Sequence, residues 1–371
     1  MKVLLGTKVP LKKIKAFIEK GNEYPLHYTT GYMHLSNYDI ECKTITAYKD
    51  KKWLIKLSKL LPIGDLNFQL QIIKQSRDCD LIITHIDQVN LMLAVFRKFR
   101  ILKTPVLAII HHSFNPNIMD TKWIWKMYVR VAGYIVFNGF DKNTFMNKVG
   151  YENAVSYYKD YKNLDYLEWG ADSDFFNITE NTGTDLNFVA IGSSNRDYNL
   201  LIEVFSELKL PLKIYANNNI EEHLTVHIPS NVTIDKTLLN SNLKGDEIFE
   251  KQKIIREIYN SATAILIPIK QQGDIGAGGT VFFETLSSGK PLIVTDNLLF
   301  SFDVEKENVG LKVPFGDKAA WIKAVKFIAN NPNEAKKMGI NARQLSEKRF
   351  NYKIYLNSIV EGIKQFEKNK A

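Results

Sequence analysis

The sequence predicts an α/β protein built as two parallel-sheet domains, and three observations predict it. Short β-rich apolar runs alternate with helical segments along most of the chain, the pattern of parallel sheets covered by helices on both faces. The alternation loosens once, over residues 167–185, and then restarts. The chain of 371 residues, 45% hydrophobic and 24% charged, exceeds one ordinary core and has the composition of a soluble globular protein.

In the front half, residues 2–5 form a first strand ending at Gly6-Thr7-Lys8. Lys12–Glu19 is helical, with Ile14, Phe17 and Ile18 on one side, and Tyr28–Tyr38 is expected to be a second helix. Cys42–Ala47 reads as a strand. Trp53, Leu54, Leu57, Leu60 and Leu61 repeat at helical spacing, and another helix falls near Phe68–Gln75. Asp80–His85 is a buried strand, Val89–Arg100 a helix, and Pro105–His112 a strand ending in two histidines. Trp123–Val131 is expected to be helical, Tyr134–Phe137 a strand, and Lys142–Val149 a helix closing on Gly150.

The stretch Trp169–Phe176 and the turn residues Asn181–Thr184 place a linker at 169–185, between domains at 1–168 and 186–351. Behind it, Leu186–Ile191 is a strand, Asn199–Leu208 a helix, and Leu212–Tyr215 and Asn231–Ile234 are strands. Gly245–Ser261 holds a helix, and Ala262–Pro268 a short buried strand. A Gly-rich segment, Asp274–Thr280, leads into a helix that ends at Gly289-Lys290-Pro291. Leu292–Thr295 is a strand, Val309–Pro314 a strand or turn, and Lys318–Ala329, Pro332–Arg349 and Tyr352–Lys368 are closing helices.

Charge and cysteine content narrow the setting. Residues 1–160 carry 24 Lys and Arg against 13 Asp and Glu, so the net charge of +9 for the whole chain resides in the front half. That balance suits an anionic membrane surface, a phosphate-bearing acceptor or nucleic acid, and equally a plainly solubilising surface. Cys42 and Cys79 form neither a metal-ligand spacing nor a disulfide framework, as in a reducing compartment. No secretion signal or membrane-spanning run is readable. The expectation is a cytoplasmic protein, soluble or held at the inner membrane face.

The candidate site gathers at strand ends, where open α/β sheets bind ligands. The Gly-rich segment runs from a strand into the first turn of a helix. Free amides converge there, the helix dipole is positive, and small residues admit an anion close to the backbone. Asp274, Gly276, Gly278, Gly279 and Thr280 are therefore candidates for a diphosphate cradle, although glycines this dense also make a flexible turn. Gly192-Ser193-Ser194-Asn195-Arg196 offers a guanidinium at a second strand end, suited to a diphosphate leaving group or to a salt bridge with Asp197. Lys270 is a further cation. Glu284, one turn into the helix, can accept from two ribose hydroxyls or serve as a helix-start acid. His111 and His112 end a central strand facing the ligand side. No Asp-x-Asp follows a strand in mid-chain, and Asp172-Ser173-Asp174 lies in the turn-rich linker, so no metal site is expected.

This order of pieces resembles the two-domain GT-B glycosyltransferases, most of all retaining family 4, across nearly the whole chain. Gly192–Tyr198 is similar to the loop that opens the family's second domain with a glycine and a phosphate-binding basic residue. Glu284–Asp296 is similar to its acid followed by a small residue, Gly, Lys and Pro. Leu167–Asp172 resembles its linker entry.

The resemblance implies two Rossmann-like parallel-sheet domains facing a cleft, with helix 352–371 crossing back to the front domain. It also implies metal-independent retaining transfer from a nucleotide-diphosphate sugar, UDP- or GDP-linked, to a glycan or lipid-linked acceptor in polysaccharide biosynthesis. Glu284 would bind ribose, His111 would contact the donor sugar or phosphate, and no cofactor beyond the donor is implied. The chain departs from the pattern in three places. Gly276 stands where the family often has the first of two glutamates. No lysine follows Arg196 in 199–203, leaving Lys270 as its substitute. Gly6–Pro10 lacks a pair of glycines. Two rivals stand beside this reading: a GT-B transferase acting on DNA, and a sugar-nucleotide-binding protein without transfer activity, which the missing glutamate favours.

Overall fold

The computed structural model describes residues 1–45, 52–60, 63–86, 90–111, 114–118, 122–178, 185–239, 246–270, 277–297 and 303–368. His112, Asp274, Gly276, the turn at 181–184 and the basic residues Lys49 and Lys51 lie outside them. The chain divides into two compact units, 1–15 with 28–169 and 354–371, and 16–27 with 170–353. The first holds a six-stranded sheet made by β1 (Lys2–Gly6), β2 (Glu41–Thr44), β3 (Leu81–Ile86), β4 (Val106–Ile110), β5 (Lys142–Phe145) and β6 (Leu164–Tyr166), in the order β2-β1-β3-β4-β5-β6. The second is built the same way from β7 (Phe188–Ile191), β8 (Leu212–Tyr215), β9 (Val232–Asp235), β10 (Ala264–Ile267), β11 (Leu292–Thr295) and β12 (Gly310–Val313), in the order β12-β11-β10-β7-β8-β9. Every pairing in both sheets is parallel.

The central strands are buried on both faces, as their continuous apolar runs require; β4, β7, β10 and β11 bury every residue. Helices close the faces: α1 (Leu11–Glu19), α2 (Lys52–Leu60), α3 (Leu66–Gln75), α4 (Leu91–Lys98), α5 (Trp123–Gly139) and α6 (Lys148–Tyr157) come first, then α7 (Tyr198–Leu208), α8 (Glu247–Ser261), α9 (Gly279–Ser287), α10 (Lys318–Asn330), α11 (Pro332–Arg349) and α12 (Tyr352–Lys368). In the first unit, α12 brings Gly362 against Leu107, where an added Cβ would lie 3.2 Å from its side chain. There Lys142 donates to the Gln365 carbonyl oxygen at 2.6 Å. In the second unit, α8 and α9 share one core with the linker aromatics Phe175 and Phe176, while α7, α10 and part of α11 share the other.

The sequence reading needs correction in three places, all in the first unit. Tyr28–Tyr38 is two 3-10 turns, Leu26–Thr29 and Leu35–Tyr38, because Thr30 (φ 50°) and Gly31 (φ 78°) take left-handed backbone that no α-helix accepts. Tyr134–Phe137 is not a strand. It continues α5, whose buried face (Ala132, Gly133, Val136, Phe137) keeps helical spacing to Gly139. Lys142–Val149 is not one helix. Residues 142–145 are strand β5, and α6 starts after Asn147, whose side chain accepts the Gly150 amide at 2.6 Å. Gly150 thus sits in the first turn of that helix instead of closing one.

Candidate active site

The second unit assembles its site from the loops that follow β7 and β10. Gly192 (φ 127°) turns the chain sharply out of β7, and Tyr198 donates to its carbonyl at 2.6 Å. Asn195 takes φ 51°, which an Asn tolerates better than most residues. The loop is then stitched to the one after β10: Asp197 donates its amide to Pro268 O at 3.0 Å, and Lys270 to Asn195 O at 3.1 Å. Arg196 pairs with Ile269 in an antiparallel bridge at the same point. Asp197 does not serve as the anchor of the guanidinium; its carboxylate caps α7 by accepting from Leu200 N at 3.2 Å.

The guanidinium of Arg196 lies between two glycines. A Cβ at Gly192 would stand 2.7 Å from its Nη2, and one at Gly278 would stand 3.7 Å from the same nitrogen. Gly278 (φ 89°) has a second reason to lack a side chain, since a Cβ would come 2.9 Å from Ile267 Cγ2. Nη1 donates to Ser194 O at 2.7 Å, which fixes the plane of the fork. Gly278 is also the N-cap of α9, whose first internal bond runs from Phe282 N to Gly278 O at 2.9 Å. The amides of Gly279, Thr280 and Val281 precede that bond and are those a helix start leaves without an intrahelical acceptor. Thr280 is exposed and Gly279 half-buried, so this end of α9 is open to solvent. The arrangement offers an anion one planar cation and the positive end of a helix dipole together.

Of the residues expected from sequence, Gly192, Arg196, Gly278, Gly279 and Thr280 come together here, with Lys270 exposed on the adjoining loop. A small pocket of about 50 Å³ opens on their flank, lined by Ser193, Arg196, Asn217, His223 and Lys270. Glu284 is on the same helix but faces inward, with 2% of its surface exposed. Tyr259 on α8 donates to its Oε2 at 2.9 Å, and His27 Nε2 stands 3.4 Å from Oε1. Nδ1 of His27 accepts the backbone amide of Asp172 at 3.0 Å, so Nε2 of that ring carries a hydrogen. Burial, and then the Glu284 charge, push the Tyr259 phenol well up, which keeps it a donor at every working pH; the Arg196 guanidinium acts in the opposite sense. Tyr24 is raised by the same two causes.

His27 and Tyr259 were not found from sequence. His27 is separated from Glu284 by most of the chain, and Tyr259 reads as one more core position beside Ile255 and Ile258. A phenol on the buried face of α8 was the available signal. Asp172 is a structural residue: Oδ2 accepts from Leu26 N at 2.8 Å, and Oδ1 accepts from Asp174 N and Phe175 N at 3.2 Å each. Among the described residues, no three His, Cys, Asp or Glu side chains converge as a metal site. The Gly289-Lys290-Pro291 signature also has a packing role. Gly289 takes φ 63°, its carbonyl oxygen approaches Gly339 of α11 too closely for a Cβ there (2.3 Å), and Lys290 donates to Asn260 O at 2.7 Å.

In the first unit, His111 stands just past β4 and its Nε2 is 3.1 Å from Nδ1 of His85, at the end of β3. His85 Nε2 in turn lies 2.7 Å from Thr30 Oγ1. Burial, reinforced by His111, holds His85 down to about 3, so it is neutral near pH 7.

Residues 175–345 match the family described as Glycosyl transferases group 1. The chain carries a group 1 glycosyltransferase domain, and with it the chain is a glycosyltransferase. That domain contains both glycine loops, Arg196 and the whole of α9. No curated protein matches the chain. Among solved structures, HepE of Anabaena in complex with UDP-glucose is similar at a TM-score of 0.67 and 12% identity, over 98% of this chain and 100% of that one. Sucrose-phosphate synthase of Thermosynechococcus elongatus is similar at a TM-score of 0.72 and 13% identity, over 99% of both chains. A glycosyltransferase of Rickettsia africae is similar at a TM-score of 0.62 and 16% identity, over 99% of both. At these identities they establish the fold, which is GT-B.

Proposed function

We propose that this glycosyltransferase moves a hexosyl group from a nucleotide-diphosphate sugar, UDP- or GDP-linked, to a glycan or lipid-linked acceptor, with retention and without a metal. The observation that carries the proposal is the Arg196 guanidinium set between Gly192 and Gly278 at the open start of α9. As the bond from the sugar's C1 to the diphosphate oxygen breaks, negative charge accumulates on the leaving group. Arg196, the amides of residues 278–281 and Lys270 are proposed to receive that charge. Because they are already in place, they act on the transition state more than on the bound donor. The acceptor hydroxyl oxygen bonds to C1 as the diphosphate departs, and its proton leaves with the diphosphate. Front-side attack of this kind preserves the anomeric configuration and needs no protein nucleophile.

Glu284 is proposed for the ribose hydroxyls, its carboxylate oriented by Tyr259 and His27 as supporting residues orient a binding group. His111 is proposed for contact with the donor sugar or phosphate. UDP-glucose in HepE supports a uridine donor by likeness of fold alone.

The test is incubation with a panel of sugar nucleotides and detection of free nucleoside diphosphate. Release from one donor, accelerated by acceptor extract and lost in Arg196→Ala, supports transfer. Tight donor binding without release, even with acceptor extract, would leave a binding protein instead.

A further inference from the structure

The long helix α5 is apolar on two sides, and only one is used. Its inner face packs so closely that a Cβ on Gly133 would stand 2.2 Å from Tyr158 Oη, and one on Gly139 would stand 2.4 Å from Ala94 O. Its outer face presents Trp123 (70% exposed), Met127 (55%) and Val131 (51%) in a row four residues apart. Ile124 and Trp125, 58% and 51% exposed, widen the row at the helix start. Single exposed apolar residues are ordinary; five within nine positions of one helix form a patch that folding of this unit does not explain.

The charged residues of α5 and its N-cap are all of one sign. Lys122, Lys126 and Arg130 follow one edge of the helix four residues apart, and α5 contains no acidic residue. Lys122 and Lys126 lie at the helix N-terminus, where a cation opposes the dipole, and Lys122 as N-cap makes no side-chain capping bond. These lysines therefore do not stabilise the helix, and a negatively charged partner gives them a favourable role. Aromatic and aliphatic side chains on one face with basic residues along its edge are the composition of a helix that lies in a membrane interface, tryptophans at headgroup level and lysines on the phosphates.

We propose that the outer face of α5 docks this protein onto an anionic lipid bilayer, without crossing it. A second copy of the chain fits less well, since it would bring the same basic edge near itself. Single-stranded nucleic acid would engage the tryptophans but not Ile124, Met127 and Val131, which have no ring to stack. No helix among the described residues is long and apolar enough to cross a membrane, so attachment of this kind is at the surface.

The experiment is flotation of the full chain with vesicles of phosphatidylglycerol and phosphatidylcholine, and with phosphatidylcholine alone, while tryptophan emission is recorded. Wild type is expected to float with the anionic vesicles and shift its emission to the blue. Trp123→Ser with Met127→Ser, and separately Lys122→Gln with Lys126→Gln and Arg130→Gln, are expected to weaken that binding by about tenfold or more. Both variants are checked for an unchanged circular dichroism spectrum and for nucleotide release from a water-soluble donor. Release unchanged with flotation lost separates this surface from the transfer reaction. Three results would overturn the proposal: no flotation of wild type, equal binding to neutral vesicles, or variants that lose self-association or oligonucleotide binding while still floating.

Discussion

The two sheets have the same six-stranded parallel plan, yet their carboxyl ends carry opposite chemistry. Behind β7 and β10, positive-φ glycines leave room for a guanidinium and an open helix start, the arrangement proposed to receive a diphosphate. Behind β3 and β4 stands a hydrogen-bonded chain of Thr30, His85 and His111, with His85 held uncharged by burial. The backbone plan thus does not decide what a sheet end binds; the residues placed on its loops do. The first unit instead concentrates positive charge and exposed apolar surface on the outside, along α5.

The largest effect that would sharpen this comparison is on Arg196. Arg196→Ala is expected to lower turnover by roughly 10²–10³-fold, the range for removing one preorganised donor to a developing charge, with a smaller change in donor affinity. Arg196→Lys should fall between, since it keeps charge but loses the fork. Steady-state kinetics decides this, and equal rates in wild type and Arg196→Ala would break the contrast between the two sheet ends.

Next is Gly192→Ala. Its Cβ would stand 2.7 Å from Arg196 Nη2 at a backbone φ of 127°, so the guanidinium must shift. Turnover should fall about tenfold or more, as each ~1.4 kcal/mol lost from the transition state implies. Gly316→Ala is the control: its φ is 68°, but nothing lies within 4 Å of the added carbon. It should cost some stability and leave turnover unchanged. If both variants lose activity alike, backbone strain and not guanidinium placement is responsible.

Glu284→Ala is expected to act on binding and stability more than on rate. It strands the Tyr259 hydroxyl in the core, at about 1–3 kcal/mol for a buried group left without its acceptor, and removes the carboxylate 3.4 Å from His27 Nε2. Donor affinity by calorimetry and melting temperature should fall together. Loss of stability with unchanged donor affinity would make Glu284 a core residue only.

The last effect belongs to the first unit and acts on stability alone. His85 is neutral in the fold down to about pH 3, whereas in the unfolded chain it takes up a proton below about 6.5. The unfolded state therefore binds more protons between these values, and stability falls as pH drops from about 6.5 toward about 3. Thermal melts across that window should show the slope, and His85→Asn should flatten it. A slope of the opposite sign would mean that His85 is protonated in the fold.

Much of this was legible in the sequence because the second unit marks its elements clearly. Strands there are four residues long and each is flanked on at least one side by Gly, Pro or Asn, and its helices begin and end on recognisable residues. One misreading falls at 28–38, where Thr30 and Gly31 turn left-handed, and the others at 134–150, where Tyr134-Ile135-Val136-Phe137 has strand composition inside a helix that is apolar on both faces, and periodicity cannot separate the two cases. In the site, Gly192, Arg196 and Gly278 were readable because positive-φ glycine and a strand-end cation are local signals. The inward turn of Glu284 toward His27 was not, since that contact joins residues distant in sequence.

A crystal structure with a bound nucleoside diphosphate tests the central claim most directly. The account predicts phosphate oxygens within about 2.7–3.1 Å of the Arg196 guanidinium and of the amides at the start of α9. A diphosphate bound elsewhere, away from Arg196, would contradict it.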